Sequence, residues 1–176
     1  TGSRTANPTA QGVSLRGVGA SGASRAVVLC DGVPMGDPFG GWVYWSRIPL
    51  EQADRVEVVD GASSSLYGNY ALGGVVNIVS APATPRTFTL KAQYGSLNTR
   101  NLEALGSHVQ GRLGLTIEGG LFQTDGYAPV VETNPAGVSE RGRVDNNVSL
   151  DTTRLNARLD MRVSDRLHSV FRAGYF

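Results

Sequence analysis

The stretch Arg55–Ser80, RVEVVDGASSSLYGNYALGGVVNIVS, decides the fold of this 176-residue chain. A charged, β-branched segment leads into small residues, a Tyr-Gly pair, a double glycine and a second apolar segment. β-Branched runs favour strands, and glycine after a short helical segment is typical of a helix end. This order predicts a strand, a short helix and a second strand, at the point where the character of the chain changes.

Upstream, the chain is rich in glycine, and its predicted elements are short. Val13 to Arg16 and Ala26 to Cys30 are predicted strands, and Ile48 to Ala53 is a predicted single helical turn. Cys30, the only cysteine, excludes an internal disulfide and is expected to be a small core residue, since free cysteine is usually buried. These elements predict a small globular unit.

The segment Pro34 to Trp45, PMGDPFGGWVYW, concentrates aromatic residues among glycine and proline. It holds both tryptophans of the chain together with Phe39 and Tyr44. Aromatic side chains on a loop form either a binding surface or a small core that anchors the loop. The sequence favours neither interpretation over the other.

From Thr87 onward, polar and apolar residues alternate with a period of two. In Arg154 to Val163, five apolar residues alternate with three arginines, Asn156 and Asp160. Such a segment fits a soluble sheet with one wet face or an outer-membrane barrel strand with lipid outside and a polar lumen. Segments near 9–11 residues and tight turns alternating with a long loop favour the barrel strand.

The turns, a long loop and the positions of aromatic residues also fit barrel strands. Tight turns are expected at Gln110-Gly111 and Ser164-Asp165, and a long polar loop is expected from Gly126 to Ser149. Aromatic residues near the predicted strand ends fit an interfacial belt, and these are Tyr94, Phe122, Tyr127 and Tyr175.

Composition and motifs argue against enzymatic and nucleic-acid functions. A net charge of +1 predicts no nucleic-acid partner, and neither a transmembrane helix nor a signal peptide is predicted. Gly17, Gly19 and Gly22 form a G-x-G-x-x-G without room for the crossover helix of a dinucleotide site. The two histidines are 60 residues apart and no nucleophile motif is present. We therefore expect no catalytic residues, no cofactor and no metal site.

Acidic residues in and beside the long loop raise one alternative. Asp125, Glu132, Asp145 and Asp151 offer oxygen ligands of the kind that Ca²⁺ prefers. Acidic loop residues are usually solvated, and that is the favoured interpretation.

Three segments carry a resemblance to a known family. SLRGVG (14–19), VVLCDGVPM (27–35) and the opening stretch together resemble the plug domain of TonB-dependent outer-membrane receptors, over roughly residues 11–82. The region after Thr87 resembles, more loosely, the first barrel strands of that family. The resemblance implies a mainly β fold: a small α+β plug domain at 1–82, lacking its N-terminal part, and at 83–176 about five antiparallel strands of an incomplete outer-membrane barrel.

The resemblance also implies a function. The chain would be a fragment of an active transporter in the Gram-negative outer membrane that imports a scarce ligand, such as a ferric siderophore or cobalamin. Its partners would be the TonB complex, a small metal-chelate or cofactor ligand, and the lipid bilayer or covering proteins. The alternative is a short receptor-derived protein that serves as a structural or interaction subunit of a larger membrane complex.

The resemblance assigns roles to individual residues. The ligand-facing plug apex would comprise Ser21, Gly22, Phe39, Trp42, Tyr44 and Trp45, and Arg16 would pair with carboxylates of the barrel wall. Structural positions of the plug would be Asp31, Gly32, Glu57, Gly61, Tyr67, Gly68, Gly73, Gly74 and Asn77. The family usually has Arg-Gly-Pro where this chain has Asp60-Gly61-Ala62, so an anion replaces a cation expected to pair with the wall.

Overall fold

A computed structural model of the chain describes residues 12–15, 25–128, 130, 132–139, 142 and 146–176. The described residues form two sheets. The first, here called the mixed sheet, contains β1 (Ala26–Cys30), β2 (Val33–Pro34), β3 (Ala53–Asp60) and β4 (Gly74–Ser80), in the order β2-β1-β4-β3. Its connections contain the helix α1 (Ser64–Tyr67) and three 3₁₀ turns, at Trp45–Arg47, Leu50–Gln52 and Asn69–Leu72.

The centre of the mixed sheet is its most buried part. β1 and β4 pair in parallel, with Val28 opposite Val76, and all five residues of β1 are buried. One face packs Val27 and Leu29 on the turn after α1, and the other packs Val28 against a cluster that includes Ile48. A continuous apolar run suits a strand covered on both faces, as β1 is.

The opening stretch folds in the predicted order, with shifted boundaries. β3 extends two residues before Arg55 and one past Val59, and α1 ends at Tyr67 with Gly68 as its C-cap. Instead of the single helical turn expected at Ile48 to Ala53, a 3₁₀ turn is followed at once by β3. Gly74 is required where β4 begins, because its φ is +131° and an added Cβ would lie 2.5 Å from the Val59 carbonyl oxygen.

The second sheet, here called the antiparallel sheet, contains five long strands in sequence order. They are β5 (Thr87–Gly95), β6 (Thr99–Gln110), β7 (Leu113–Thr124), β8 (Leu150–Ser164) and β9 (Leu167–Tyr175). Among the described residues, β5 and β9 are edge strands and the sheet does not close. The mainly β fold class, with a small α+β unit before antiparallel strands, is confirmed. In the same part of the chain, no helix is long and apolar enough to span a bilayer.

The two faces of the antiparallel sheet differ sharply in polarity and burial. Large apolar side chains, such as Leu115 and Ile117, are exposed by 44% and 45%. On the opposite face of the same strand, Thr116 is buried and Glu118 is 0% exposed. This arrangement is the reverse of a soluble sheet, which buries its apolar face.

Two details of the sequence prediction are wrong. Phe122 lies on the polar face, because the register places it opposite Asn101 and Thr152, whereas its neighbour Leu121 lies on the apolar face. Both tight turns lie one residue later than expected, at Gly111-Arg112 and Asp165-Arg166, because Gln110 pairs with Leu113 and Ser164 pairs with Leu167.

Candidate functional site

The turn after β1 connects the ends of two strands of the mixed sheet. Asp31 and Gly32 both have positive φ angles, which aspartate and glycine tolerate in turns. The Asp31 carboxylate accepts hydrogen bonds from the Ser80 amide at 2.9 Å and the Ser80 hydroxyl at 3.0 Å. Asp31 therefore ties the end of β4 to the end of β1.

A second set of hydrogen-bonded polar side chains crosses the mixed sheet from β3 to the same turn. The Asn77 side chain accepts a hydrogen bond from the Gly32 amide at 3.2 Å and donates one to Glu57 at 3.1 Å. Arg55 also donates to Glu57, at 2.9 Å. The hydrogen bond from Asn77 and the nearby Arg55 guanidinium lower the pKa of the Glu57 carboxyl. Three of the predicted structural positions, Gly32, Glu57 and Asn77, are thus brought together.

The antiparallel sheet contacts this region through two arginines. Arg158 and Arg172 lie opposite each other on β8 and β9. Arg172 forms an ion pair with Asp31 and donates to the Ser80 hydroxyl. Arg158 donates to the Ser80 carbonyl oxygen at 3.2 Å and to its hydroxyl, and pairs with Asp160 at 2.7 Å. The ends of β1 and β4 therefore rest on a pair of arginines of the other sheet.

Cys30 lies beside this contact. Its thiol is buried, as expected from the sequence, and its Sγ lies 3.8 Å from an Arg172 guanidinium nitrogen. Burial, together with the neighbouring Asp31 carboxylate, raises the pKa of the Cys30 thiol. The thiol is therefore protonated at neutral pH and weakly reactive.

The connection from β4 to β5 and the 3₁₀ turn at Leu50–Gln52 add further contacts with the antiparallel sheet. The Thr84 amide donates to the Ser107 hydroxyl at 2.9 Å, and Lys91 pairs with Glu51 at 2.5 Å. A cavity of about 80 Å³ at this contact is lined by Gln52 and Thr116, among others. Small-molecule pockets are usually several hundred Å³, so this cavity suits a few water molecules and not a ligand.

A buried ion cluster joins three strands of the antiparallel sheet. Arg154 on β8 pairs with Glu103 on β6 at 2.9 Å and with Glu118 on β7 at 3.1 Å. Gly120 lies opposite Arg154, and a Cβ at Gly120 would approach the guanidinium carbon to 2.7 Å. Glycine at this position therefore leaves room for the arginine to reach its carboxylates.

The aromatic segment combines an exposed tip with a packed base. Asp37 accepts hydrogen bonds from the amides of Phe39 and Gly40, and the Phe39 side chain is 96% exposed. Trp42 stands edge-on to Tyr44, with ring centroids 6.4 Å apart.

The base of this segment is held by contacts with both sheets. Trp45 packs against the core cluster that contains Val28 and Ile48. The Arg47 guanidinium lies 4.5 Å from the Tyr44 ring centroid and 4.9 Å from that of Phe176, which follows β9. Surface and core interpretations thus each hold for part of the segment, and its role in facing a ligand stays a prediction.

The remaining predicted residues are placed as follows. Arg16, Ser21 and Gly22 lie outside the described residues, as does Asp145. Gly61 and Gly68 have positive φ angles at the ends of β3 and α1, Tyr67 is the last residue of α1, and the Gly73 amide donates to the Arg25 carbonyl oxygen. Within the described ranges, no group of three or more His, Cys, Asp or Glu residues is arranged to hold a metal ion.

Sequence reasoning missed the ion pairs that join the two sheets and those that join strands within the antiparallel sheet. The alternating pattern of Arg154 to Val163 includes Arg154, Arg158 and Asp160 on its polar side, but no sequence pattern singles out Arg172 or Glu103. Alternation indicates which face a residue occupies, whereas its partner depends on strand register, which no local pattern reports.

Known proteins have sequences similar to part of this chain. The sequence model of the TonB-dependent receptor plug domain matches residues 1–75. Over 81 residues the chain is 40% identical to the vitamin B12 transporter BtuB of Vibrio cholerae serotype O1, a match that covers 46% of this chain and 13% of BtuB.

Solved structures extend the similarity beyond the plug. The siderophore receptor PirA from Pseudomonas aeruginosa superposes with a TM-score of 0.56 and 23% identity, over 90% of this chain and 27% of PirA. The ferric yersiniabactin uptake receptor FyuA from Yersinia pestis gives a TM-score of 0.59 and 22% identity, over 89% of this chain and 24% of FyuA.

At these identities the structural matches show the fold, and the chain spans about a quarter of the length of either receptor. The plug model that matches residues 1–75 adds a similarity to TonB-dependent receptors, which are receptors and transporters and not enzymes. A plug-type mixed sheet that rests on the polar face of long antiparallel strands agrees with both findings. Over residues 1–75 the chain is therefore similar to the plug domain of TonB-dependent receptors, and its fold is similar to that of solved receptors.

Proposed function

We propose that this chain supplies the plug, at 1–82, and the first barrel strands, at 83–176, of an outer-membrane transporter that imports a scarce ligand with energy from the TonB complex. The observation that carries the proposal is the reversed polarity of the antiparallel sheet. Its charged face is buried against the mixed sheet, and its apolar face is exposed.

The apolar face fits contact with lipid. Leu90, Ile117, Leu155 and Phe171 lie on four different strands, and each is 45% exposed or more. Barrel strands in the outer membrane present such a face to lipid and a polar face to the lumen. The strands of 9 to 15 residues are long enough to cross the hydrocarbon layer at a tilt. These features support a location in the Gram-negative outer membrane.

The aromatic tip is the best candidate for ligand contact among the described residues. The loop from Asp37 to Trp42 presents Phe39 to solvent above the Trp42–Tyr44 pair. Aromatic side chains offer a large apolar surface with little conformational freedom to lose. We extend the same role to Trp45, Ser21 and Gly22, and wall pairing to Arg16, as parts of the proposal.

The names of the relatives indicate the ligand class. The relative with 40% identity over 81 residues is a vitamin B12 transporter, and the two superposed proteins are a siderophore receptor and a ferric yersiniabactin uptake receptor. The ligand proposed here is accordingly a scarce metal chelate or cobalamin.

Uptake measurements test the proposal directly. The full-length gene product is placed in the outer membrane of Gram-negative cells that lack their own cobalamin and ferric-siderophore receptors, and uptake of labelled cobalamin and of labelled ferric enterobactin is recorded. We expect uptake of one probe, its loss after addition of a protonophore, and retention of binding at the cell surface. Correctly inserted protein that neither binds nor imports either probe contradicts the proposal.

A matched pair of variants locates the binding surface. Phe39→Ala is expected to weaken binding of the imported probe about tenfold, the range of an aromatic contact residue at an interface. Phe88→Ala removes an equally large exposed ring from the apolar face of β5 and is expected to leave binding unchanged.

A further inference from the structure

Arg158 and Arg172 form a pair of like charges. Anions of the antiparallel sheet alone do not neutralise both. They lie directly opposite each other on β8 and β9. Like charges in that position destabilise a sheet unless each has an anion. Arg158 has Asp160, two residues along its own strand, whereas Arg172 pairs with Asp31 of the mixed sheet.

The Asp31–Arg172 ion pair is partly shielded from solvent. The two side chains are 22% and 26% exposed, respectively. Charge-assisted hydrogen bonds in such surroundings are stronger than those of exposed pairs, because water screens them less. Separating the two sheets would leave both charges without these partners at the same time.

Ser80 makes the contact a junction of three chain segments. Its side chain is 5% exposed, it ends β4, and its hydroxyl contacts Asp31, Arg158 and Arg172. The ends of the parallel strands β1 and β4 are therefore held on the antiparallel sheet at one point. Any displacement of the mixed sheet along the wall must break this junction.

We propose that the Asp31–Arg172 salt bridge, with Ser80 between its partners, holds the plug on the barrel wall and must open for ligand passage. The opening of this salt bridge rests on the proposed transport function. Its charges are arranged in the opposite way to the pairing implied for Arg16, since here the barrel wall carries the cation and the plug carries the anion. Asp31, Ser80 and Arg172 are positioning residues that control movement of the plug without contacting the ligand.

Cys30 provides a native reporter of this opening. Its thiol is 6% exposed and lies beside Arg172, so a reagent reaches it only when the contact opens. We measure the rate at which N-ethylmaleimide labels Cys30 in the full-length gene product in outer-membrane vesicles, without ligand or energy source. Asp31→Asn and Arg172→Gln are each expected to label about tenfold faster than the natural protein, as the loss of one charge-assisted bond implies.

Thiol chemistry alone cannot produce this result. Asp31 raises the pKa of Cys30, whereas Arg172 lowers it. Direct electrostatic effects of the two substitutions on thiol reactivity are therefore opposite, and acceleration by both reports opening. The reciprocal exchange, Asp31→Arg with Arg172→Asp, is expected to bring the rate back to within about threefold of the natural protein, because the ion pair is restored.

Two control variants match the charge changes away from the junction. Arg162→Gln removes an exposed arginine from the same face of β8, and Asp54→Asn removes an aspartate from an exposed ion pair of β3. Each is expected to change the labelling rate less than twofold. Ser80→Ala alters no charge and is expected to accelerate labelling several-fold, which keeps the proposal testable if a charge variant does not insert.

The outcomes separate this inference from the proposed function. Labelling of Asp31→Asn, Arg172→Gln and Ser80→Ala at the control rate overturns the salt-bridge proposal, even if the natural protein imports its ligand. Accelerated labelling of these variants in a protein that binds and imports no probe retains the contact between the sheets but overturns the transport function.

Discussion

The two sheets of this protein bury opposite kinds of residue. The mixed sheet buries Val28, Val75 and Ile78 and leaves charged residues of β3 at the surface. The antiparallel sheet buries Glu118 and Arg154 and exposes its leucines. A period of two indicates only that a strand has two kinds of face. The surroundings of each face decide whether the polar or the apolar residues are buried.

The difference changes what stabilises each sheet. Apolar packing stabilises the mixed sheet, whereas an ion cluster and a hydroxyl pair, Ser107 with Thr116, occupy the covered face of the antiparallel sheet. We therefore expect the two sheets to respond to opposite kinds of substitution. The predictions below follow from that contrast, beginning with the largest effect.

Arg154→Leu is expected to destabilise the antiparallel sheet by about 3–5 kcal/mol, because it leaves two buried carboxylates without their cation. Glu103 and Glu118 both lose their pairing with the guanidinium. The free energy of unfolding of the full-length gene product in detergent, measured with guanidinium chloride, checks this value.

Arg162→Leu is the control for that substitution. Arg162 lies on the same face of the same strand but is exposed, so its removal should cost less than about 1 kcal/mol. Equal effects of the two variants would contradict a special role for the buried cluster.

Ile117→Arg tests the apolar face and is expected to cost about 2–4 kcal/mol in a bilayer, where a charge at mid-depth contacts hydrocarbon. Leu113→Arg, at the turn end of the same strand, is expected to cost less because the penalty falls toward the interface. Unfolding in phospholipid vesicles measures both. No penalty at Ile117 would indicate that this face contacts water or protein instead of lipid.

Much of this contrast could be predicted from the sequence. The segment Arg154 to Val163 shows both faces of a strand, and the stretch from Arg55 to Ser80 contains β3, α1 and β4 in order. Such features are local, so they can be read without knowledge of distant partners. Phe122 shows the limit, because an aromatic residue near a strand end can occupy either face.

Contacts between the sheets could not be predicted. Asp31 and Arg172 are separated by most of the chain, and Ser80 and Arg158 are 78 residues apart. Their meeting depends on the register of β8 and β9 and on the placement of one sheet against the other. Neither leaves a signal in a single sequence beyond the presence of polar residues on one face.

Gly74→Ala is expected to destabilise the mixed sheet by about 1–3 kcal/mol through backbone strain at a positive φ and a close contact with the Val59 carbonyl oxygen. Gly36→Ala is the control, since the nearest atom to an added Cβ there is 3.9 Å away. Tryptophan fluorescence reports on this region, because Trp45 packs against the core cluster of the mixed sheet. Indistinguishable unfolding midpoints for the two variants would refute the requirement for glycine at 74.

The smallest predicted effect is a pH dependence at Glu57. Its pKa is lowered in the folded state, so its contribution to stability is present above the ordinary glutamate value of about 4.3 and is lost as pH falls through the lower folded value. Glu57→Gln should therefore flatten the decline of the unfolding midpoint between about pH 5 and pH 3. A decline as steep in the variant as in the natural protein would show that Glu57 does not contribute.

The reversed polarity of the antiparallel sheet is tested most directly by scanning one strand in a membrane. Spin labels are placed singly at each position from Arg154 to Val163, in a Cys30→Ser background of the full-length gene product in phospholipid bilayers. Access to oxygen, which concentrates in lipid, is compared with access to a water-soluble nickel complex. The account predicts alternation, with high oxygen access at Leu155, Ala157, Leu159 and Met161 and low access to both reagents at Arg154 and Arg158. Uniform access along the strand, or nickel access at the leucines, would contradict it.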